Sequence, residues 1–155
     1  MNTSLRIWVQ AIVLLSLVGC QAAMVPTTKL QDQNINSKLS QDQIRKAISV
    51  GAMTAGWSVD EVSDSQTIAT YRIRSHTVSV SIDYSADDYS IQYLSSAHMK
   101  VRCGEVYDST EPAKVTNGGS PCPGGAPPTF IHPKYQEWVD RLNRGIQAAL
   151  QAYSS

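Results

Sequence analysis

Apolar residues recur at helical spacing in two separate stretches of the chain. In the first, Ser40 and Gln43 stand where the two side chains of a capping box would close a helix start. Small and apolar residues then follow with the spacing of one buried helical face: Ile44, Ala47, Ile48, Gly51, Ala52 and Ala55. In the second, Pro133 stands near a helix start and is followed by a longer face: Tyr135, Trp138, Val139, Leu142, Ile146, Ala149, Leu150 and Tyr153. The pattern predicts two helices, with Gly56 ending the first.

Between these helices the pattern changes to alternation, which is typical of strands with one buried face. The clearest case is residues 77–84, where Val78, Val80, Ile82 and Tyr84 point one way. Weaker alternation over residues 57–62, 67–74 and 89–93 predicts neighbouring strands. We therefore expect an α+β fold. It is a two-layer sandwich, in which an antiparallel meander of three to four strands carries an N-terminal and a C-terminal helix on one face, in the order α-β-β-β-α.

The first residues have the organisation of a lipoprotein signal peptide. A short segment with one cation, Arg6, precedes a mostly apolar run over residues 7–18, which is too short to span a bilayer comfortably. Leu17, Val18, Gly19 and Cys20 match a bacterial lipobox. We expect residues 1–19 to be removed and Cys20 to carry a diacylglyceryl thioether and an amide-linked acyl chain such as palmitate. Several acyl chains make a stable membrane anchor.

The residue after the cysteine bears on the destination. It is Gln21, whereas aspartate is the usual inner-membrane retention cue at this position in enteric-type bacteria. The sequence therefore predicts the outer membrane, with the domain facing the periplasm. Residues 20–39 are polar and without period, which predicts a lipidated cysteine followed by a flexible tether. Residues 40–155 would form a single α+β domain.

The segment over residues 100–130 departs from regular structure. Five of the 7 prolines and five of the 9 glycines lie between Gly104 and Pro128. With Cys20 lipidated, Cys103 and Cys122 remain as an even pair, and an oxidising periplasm favours a disulfide between them. We expect the segment to be an excursion from the sheet closed by that bridge.

Charge and motifs exclude several classes of protein. Without Arg6, 12 Lys and Arg stand against 13 Asp and Glu, so a nucleic-acid partner is not predicted. The sequence has no phosphate-binding loop, dinucleotide fingerprint or nucleophile elbow, so no cofactor and no catalytic residue is predicted. His76, His98 and His132 lack metal-ligand spacing, and we expect His132 to cap or pack at a helix start. Asp87 and Asp88 are expected to shape a turn, and Tyr71, Tyr89 and Tyr93 to lie in the core.

One set of residues suggests a binding face. Arg72, Arg74 and His76 share a parity opposite to Ala69, Tyr71 and Ile73, so a continuous strand would present them as a cationic row on the open face of the sheet. Such a row could meet lipid phosphates, lipopolysaccharide, peptidoglycan carboxylates or an acidic partner. The alternative is three solvated charges on an antiparallel face.

The chain also resembles a group of small proteobacterial lipoproteins with no assigned function. The resemblance covers about residues 43–150 and is carried by four short stretches: Gly56-Trp57, Arg74-Ser75-His76-Thr77, residues 89–93, and Ile131-His132 with the helix face after it. It implies a lipobox, a polar tether and one small domain, and attaches no activity. The segment between Cys103 and Cys122 departs from the family pattern.

These observations favour a non-catalytic binding or assembly module of the cell envelope, held to the outer membrane by its lipid. Two alternatives remain open. One is a small envelope hydrolase or substrate-binding accessory, with a site built from the histidines and the excursion. The other is a purely structural spacer.

Overall fold

The computed structural model of the protein describes residues 23–35, 38–104, 122, 124 and 126–155. The predicted signal peptide, Cys20 and most of the segment between Cys103 and Cys122 lie outside the described residues. The described part contains two helices and eight strands, in the order β1 (Val25–Pro26), β2 (Leu30–Asn34), α1 (Gln41–Thr54), β3 (Ser58–Ser63), β4 (Gln66–Ile73), β5 (His76–Tyr84), β6 (Asp88–Ala97), β7 (Val101–Arg102), β8 (Phe130–Ile131) and α2 (Lys134–Tyr153). The predicted α+β class is confirmed, with the two helices flanking the strands of the meander.

Local sequence signals explain both helices. The Ser40 side chain accepts a bond from the Gln43 amide, and the Gln43 side chain accepts one from the Ser40 amide, so the predicted capping box is present. Gly56 follows the C-cap of α1 with a φ of 89°, a conformation that glycine adopts without steric cost. The predicted stripes of α1 and α2 are largely the residues that the two helices bury.

The main sheet is antiparallel and has five strands in the order β2-β6-β5-β4-β3. Its meander from β3 to β6 is the one predicted, with the upper number of strands. Val80 lies between Ala69 of β4 and Tyr93 of β6 in register, so these three side chains share one face. That face carries the apolar side chains, and both helices pack against it. The core between them is the single hydrophobic cluster of the described residues.

The prediction of a flexible tether is wrong for much of residues 20–39. β2 pairs antiparallel with β6, Leu30 opposite Ile91, and the amide of Ile35 donates to the carbonyl of Asp87 over 2.7 Å. Ile35 is buried in the core, although its neighbours are polar. A polar strand can join a sheet edge through its backbone alone, since main-chain groups form the ladder. The alternation that reveals a strand is absent here, because only Leu30 in β2 is apolar.

A second, small sheet also escaped prediction. β8 lies between β1 and β7, and all three strands have only two residues. Hydrogen bonds extend the pairing beyond them, from Thr27 to the Thr129 carbonyl and from His132 to the Lys100 carbonyl. This sheet joins the N-terminal residues to the chain that enters α2. Strands so short leave no periodic signal in a sequence.

Cys103 and Cys122 form the predicted disulfide, with their Cα atoms 5.6 Å apart. Cys103 directly follows β7, so the bridge is attached at the edge of the small sheet. Cys122 is buried, but it does not belong to the main core cluster. The bridge itself therefore lies outside that cluster.

Candidate functional site

A groove of about 480 Å³ opens between the first half of α2 and the end of β4. β4 contributes two side chains that point to the helix side of the sheet, and α2 contributes a stripe that faces them. We call this the arginine groove; its walls are Tyr71, Ile73, Glu137, Trp138, Asp140, Arg141 and Arg144.

Aromatic rings form the floor of the arginine groove. The Tyr71 ring stands 5.3 Å from the ring of Trp57 and 5.2 Å from that of Trp138, measured between centroids. Both tryptophans are buried, whereas Tyr71 is half-buried. Ile73 stands on the rim and keeps 39% of its surface exposed. The groove thus has an apolar, aromatic floor, although its rings are tilted by 39° and 46° against one another.

Two arginines of α2 line the groove beside this floor. The guanidinium carbon of Arg141 lies 5.0 Å from the centroid of the Tyr71 ring, within the range of a cation–π contact. Arg144 follows three positions later on the same side of α2. Among the described residues, no carboxylate lies within ion-pair distance of either arginine. Their guanidinium donors are therefore available to a ligand.

The two carboxylates of the groove already have partners. The Lys134 ammonium lies 2.6 Å from the Glu137 carboxylate, and the side-chain amide of Gln136 donates to Asp140 over 2.8 Å. The formal charge of the lining is balanced, with two cations and two anions. A ligand with one or two negative charges beside an apolar body fits this arrangement, whereas a dense polyanion would be repelled by the carboxylates.

The predicted cationic row does not form. β4 ends at Ile73 and β5 starts at His76, and these two residues pair across a two-residue turn. Arg74 occupies that turn with a φ of 54°. Arg72 pairs with Thr77 on the open face, whereas His76 shares the face of Ile73. The prediction assumed one continuous strand from Arg72 to His76. The turn interrupts that strand, so the three side chains do not lie on one face.

The histidines have local structural partners. The Nδ1 of His76 lies 2.7 Å from the carbonyl of His98, and the Nδ1 of His132 accepts a bond from the Lys134 amide over 3.2 Å. We expected His132 to cap or pack at a helix start, and its ring does bond the amide of Lys134, the first residue of α2, although the N-cap residue is Pro133. No group of three potential metal-ligating side chains occurs among the described residues.

Asp87 lies in the predicted turn between β5 and β6, and Asp88 is the first residue of β6. The hydroxyl of Ser85 accepts bonds from the amides of both aspartates over 3.1 Å and donates to the Asp88 carboxylate over 2.9 Å. These contacts organise the connection from β5 to β6. Of the three tyrosines expected in the core, Tyr89 is fully buried, whereas Tyr71 and Tyr93 pack against the core from its margin.

The open face of the main sheet is polar and internally bonded. Thr70 and Ser79 share a hydrogen bond of 2.9 Å across β4 and β5, and the Asp83 carboxylate accepts from the side-chain amide of Gln66 over 2.6 Å. These side chains satisfy one another across the strands. The arginine groove is the stronger candidate site, because its cations face outward without such partners.

No pattern in the sequence directly predicts the arginine groove. Arg141 and Arg144 stand on the polar flank of an amphipathic helix, where charged residues usually meet only water. Their relation to Tyr71 arises from the packing of α2 on β4, two elements far apart in the chain. The available hint was the spacing of Trp138, Arg141 and Arg144, which places an aromatic ring and two cations along one helical flank.

Comparison of the chain with protein-family models, with curated proteins and with solved structures gives no match. No helix in the described part of the chain is both long enough and apolar enough to cross a membrane. The geometry of the described residues is therefore the basis on which a function can be argued.

Proposed function

We propose that this chain is a lipoprotein of the outer membrane whose periplasmic domain is a non-catalytic binding module, and that the arginine groove is its binding site. The observation that carries the proposal is that Arg141 and Arg144, without carboxylate partners among the described residues, line one groove with the aromatic rings of Tyr71 and Trp138, and that Arg141 stands over the Tyr71 ring. The membrane location comes from the lipobox at residues 17–20 and remains a prediction, as does the resemblance to small envelope lipoproteins.

The chemistry of the groove favours a carboxylate ligand. A guanidinium group presents a planar fork of donors that matches a carboxylate in a bidentate manner. Because Arg141 stacks on Tyr71, its side chain is ordered in advance and loses less conformational freedom on binding. The balanced charge of the lining favours one or two carboxylates over the clustered phosphates of lipopolysaccharide.

The position of the domain favours a protein partner at the membrane. With β1 starting at Val25, at most about 18 Å of chain connects it to the Cys20 anchor. The groove then stays within about one domain diameter of the bilayer. We therefore propose that it takes an acidic segment or a C-terminal carboxylate of an envelope protein, and peptidoglycan stem peptides are the competing ligand.

In-cell photo-crosslinking tests this proposal. A photoreactive amino acid at Ile73 would report on the rim of the arginine groove, and the same group at Val62 is the control. Val62 is 54% exposed and lies near the start of β4, roughly 20 Å along the sheet from Ile73. We expect a crosslinked protein from position 73 alone, attached at or next to an acidic residue or a C-terminus.

Charge variants sharpen the same experiment. The double variant Arg141→Gln with Arg144→Gln should abolish the crosslink at position 73. The control double variant Lys38→Gln with Arg72→Gln removes the same amount of charge outside the groove, so the crosslink should remain. If position 73 captures no protein and isolated peptidoglycan instead binds in an arginine-dependent way, the competing ligand is correct. Capture that is equal at positions 73 and 62 would refute the groove as the site.

The location is tested separately. Cys20→Ala removes the lipidated thiol, so the protein should leave the membrane fraction and appear in the soluble periplasmic fraction. Unchanged retention in the outer membrane after this substitution would contradict the lipid anchor.

A further inference from the structure

The N-terminal strand makes the link between anchor and domain very short. Only residues 21–24 separate Cys20 from β1, and a fully extended chain reaches at most about 18 Å from Cys20 to Val25. A domain of this size has a radius of gyration of roughly 14 Å. The end of the domain that carries β1 must therefore face the bilayer, whereas a 19-residue tether would leave its orientation open.

The register of the small sheet separates an inner from an outer face. Val25, Ile131 and Val101 are aligned and belong to the core or pack against it. The next aligned set, Pro26, Phe130 and Arg102, therefore points away from the core. Pro26 and Arg102 are exposed and Phe130 is partly exposed. We call these three residues, together with exposed Lys100 at the start of β7, the small-sheet face.

Cations outnumber acidic residues around this face, although Asp32 and Glu137 directly adjoin the ranges given next. The described residues 23–31, 98–104 and 126–136 contain four cationic residues and no aspartate or glutamate. Of these, Lys134 pairs with Glu137, whereas Lys29, Lys100 and Arg102 have no carboxylate within ion-pair distance among the described residues. A chain that is close to neutral overall thus concentrates unpaired cations next to its anchor.

The pairing of Arg102 with Phe130 suits the boundary of a bilayer. The guanidinium carbon of Arg102 lies 5.9 Å from the centre of the Phe130 ring. An aromatic ring is stable at the level of the headgroups, where one side is apolar and the other is wet. A guanidinium group beside it can donate to lipid phosphates.

We propose that the small-sheet face lies on the anionic headgroups of the membrane that holds Cys20, so that Phe130 enters the interface and Arg102 and Lys100 bind lipid phosphates. The proposal rests on the lipid anchor of the proposed function and adds the orientation of the domain.

Fluorescence quenching by brominated lipids tests the contact. Full-length lipidated protein carrying Phe130→Trp is placed on vesicles of phosphatidylethanolamine and phosphatidylglycerol whose acyl chains are brominated near the headgroup. The matched control is Val62→Trp, because β3 is the opposite edge strand of the main sheet from β2. The native Trp57 and Trp138 are buried and give a common background. We expect severalfold stronger quenching of the tryptophan at position 130.

The cations are tested on the same background. Lys100→Gln with Arg102→Gln should bring the quenching at position 130 down toward the control, since each cation near an anionic surface shifts the membrane-bound population about fivefold. The protein should still float with the vesicles. Equal quenching of the two tryptophan variants on vesicles that retain the protein would overturn the orientation and leave the anchor intact. Absence of lipid on Cys20 by mass spectrometry would overturn both.

Discussion

Gly51 and Gly145 bring the two helices into backbone contact. A Cβ atom added at Gly51 would lie 2.6 Å from the carbonyl oxygen of Gly145, and one added at Gly145 would lie 2.5 Å from the carbonyl oxygen of Gly51. Neither position has room for a methyl group, since the obstacle in both cases is the main chain of the other helix. This close approach lets both helices share one face of the main sheet.

Gly51→Ala and Gly145→Ala should each destabilise the domain by about 1 to 3 kcal/mol, the usual effect of overpacking a close contact. In an exposed helix the same substitution would stabilise by up to about 1 kcal/mol, so the sign of the change is informative. Urea unfolding measures the difference, and Val50→Ala on the exposed side of α1 serves as control. A stabilising effect at both glycines would show that the helices do not cross here.

Ile35→Ala tests whether the N-terminal residues belong to the fold. Ile35 is 5% exposed and packs in the core, so truncation should cost about 2 to 5 kcal/mol of unfolding free energy. Gln31→Ala, on an exposed position of β2, should change little. If neither variant changes the free energy of unfolding in a denaturant titration, these residues do not belong to the fold, and a flexible tether is the correct description.

The stability should fall at alkaline pH because of Tyr89. Burial raises the pKa of Tyr89 from 10.0 to about 12, and a hydrogen bond with Gln147 works in the opposite direction. The unfolded chain releases this proton near pH 10 while the native state retains it. The contribution of Tyr89 is therefore complete below pH 10 and is lost as pH rises toward 12. Burial raises the pKa of Tyr135 in the same direction.

Tyrosinate absorbance and circular dichroism, followed together against pH, measure this effect. Tyr89→Phe should weaken the fall in stability between pH 10 and 12, although it also loses the bond of 2.6 Å that the Tyr89 hydroxyl donates to Asn143. Tyr153→Phe is the control, because Tyr153 is exposed at the end of α2. An identical pH profile for both variants would contradict the raised pKa of Tyr89.

Loss of the disulfide should lower the stability of the domain, while its core should still fold. Cys103→Ser with Cys122→Ser opens a loop with a sequence separation of 19, and the loop-entropy treatment gives a loss of about 3 kcal/mol. Because Cys122 lies outside the main core cluster, we expect a single cooperative transition at lower temperature in calorimetry. Two reactive thiols in protein taken from the periplasm would show that the bridge is not formed in the cell.

The features that the sequence predicted correctly depend on neighbours in the chain. The capping box of Ser40 and Gln43 is closed by residues three positions apart, and the alternation from Val78 to Tyr84 follows from the two-residue period of any strand with one buried face. The pairing of Cys103 with Cys122 followed from their number and compartment. These features can be predicted without knowledge of the fold, because each interaction either joins residues close in the chain or has one available partner.

The features that only the tertiary structure decided depend on partners far away in the chain. β2 is a strand because the edge of β6 offers it backbone donors and acceptors. The side chains of β2 are nearly all polar, so their pattern does not predict a strand. Because of the turn at Arg74, His76 lies on the opposite face of the sheet from Arg72, so the predicted cationic row does not form. The arginine groove exists because packing places Arg141 over Tyr71. The spacing of apolar residues in the sequence predicts which face of an element is buried. It does not predict which distant element packs against that face.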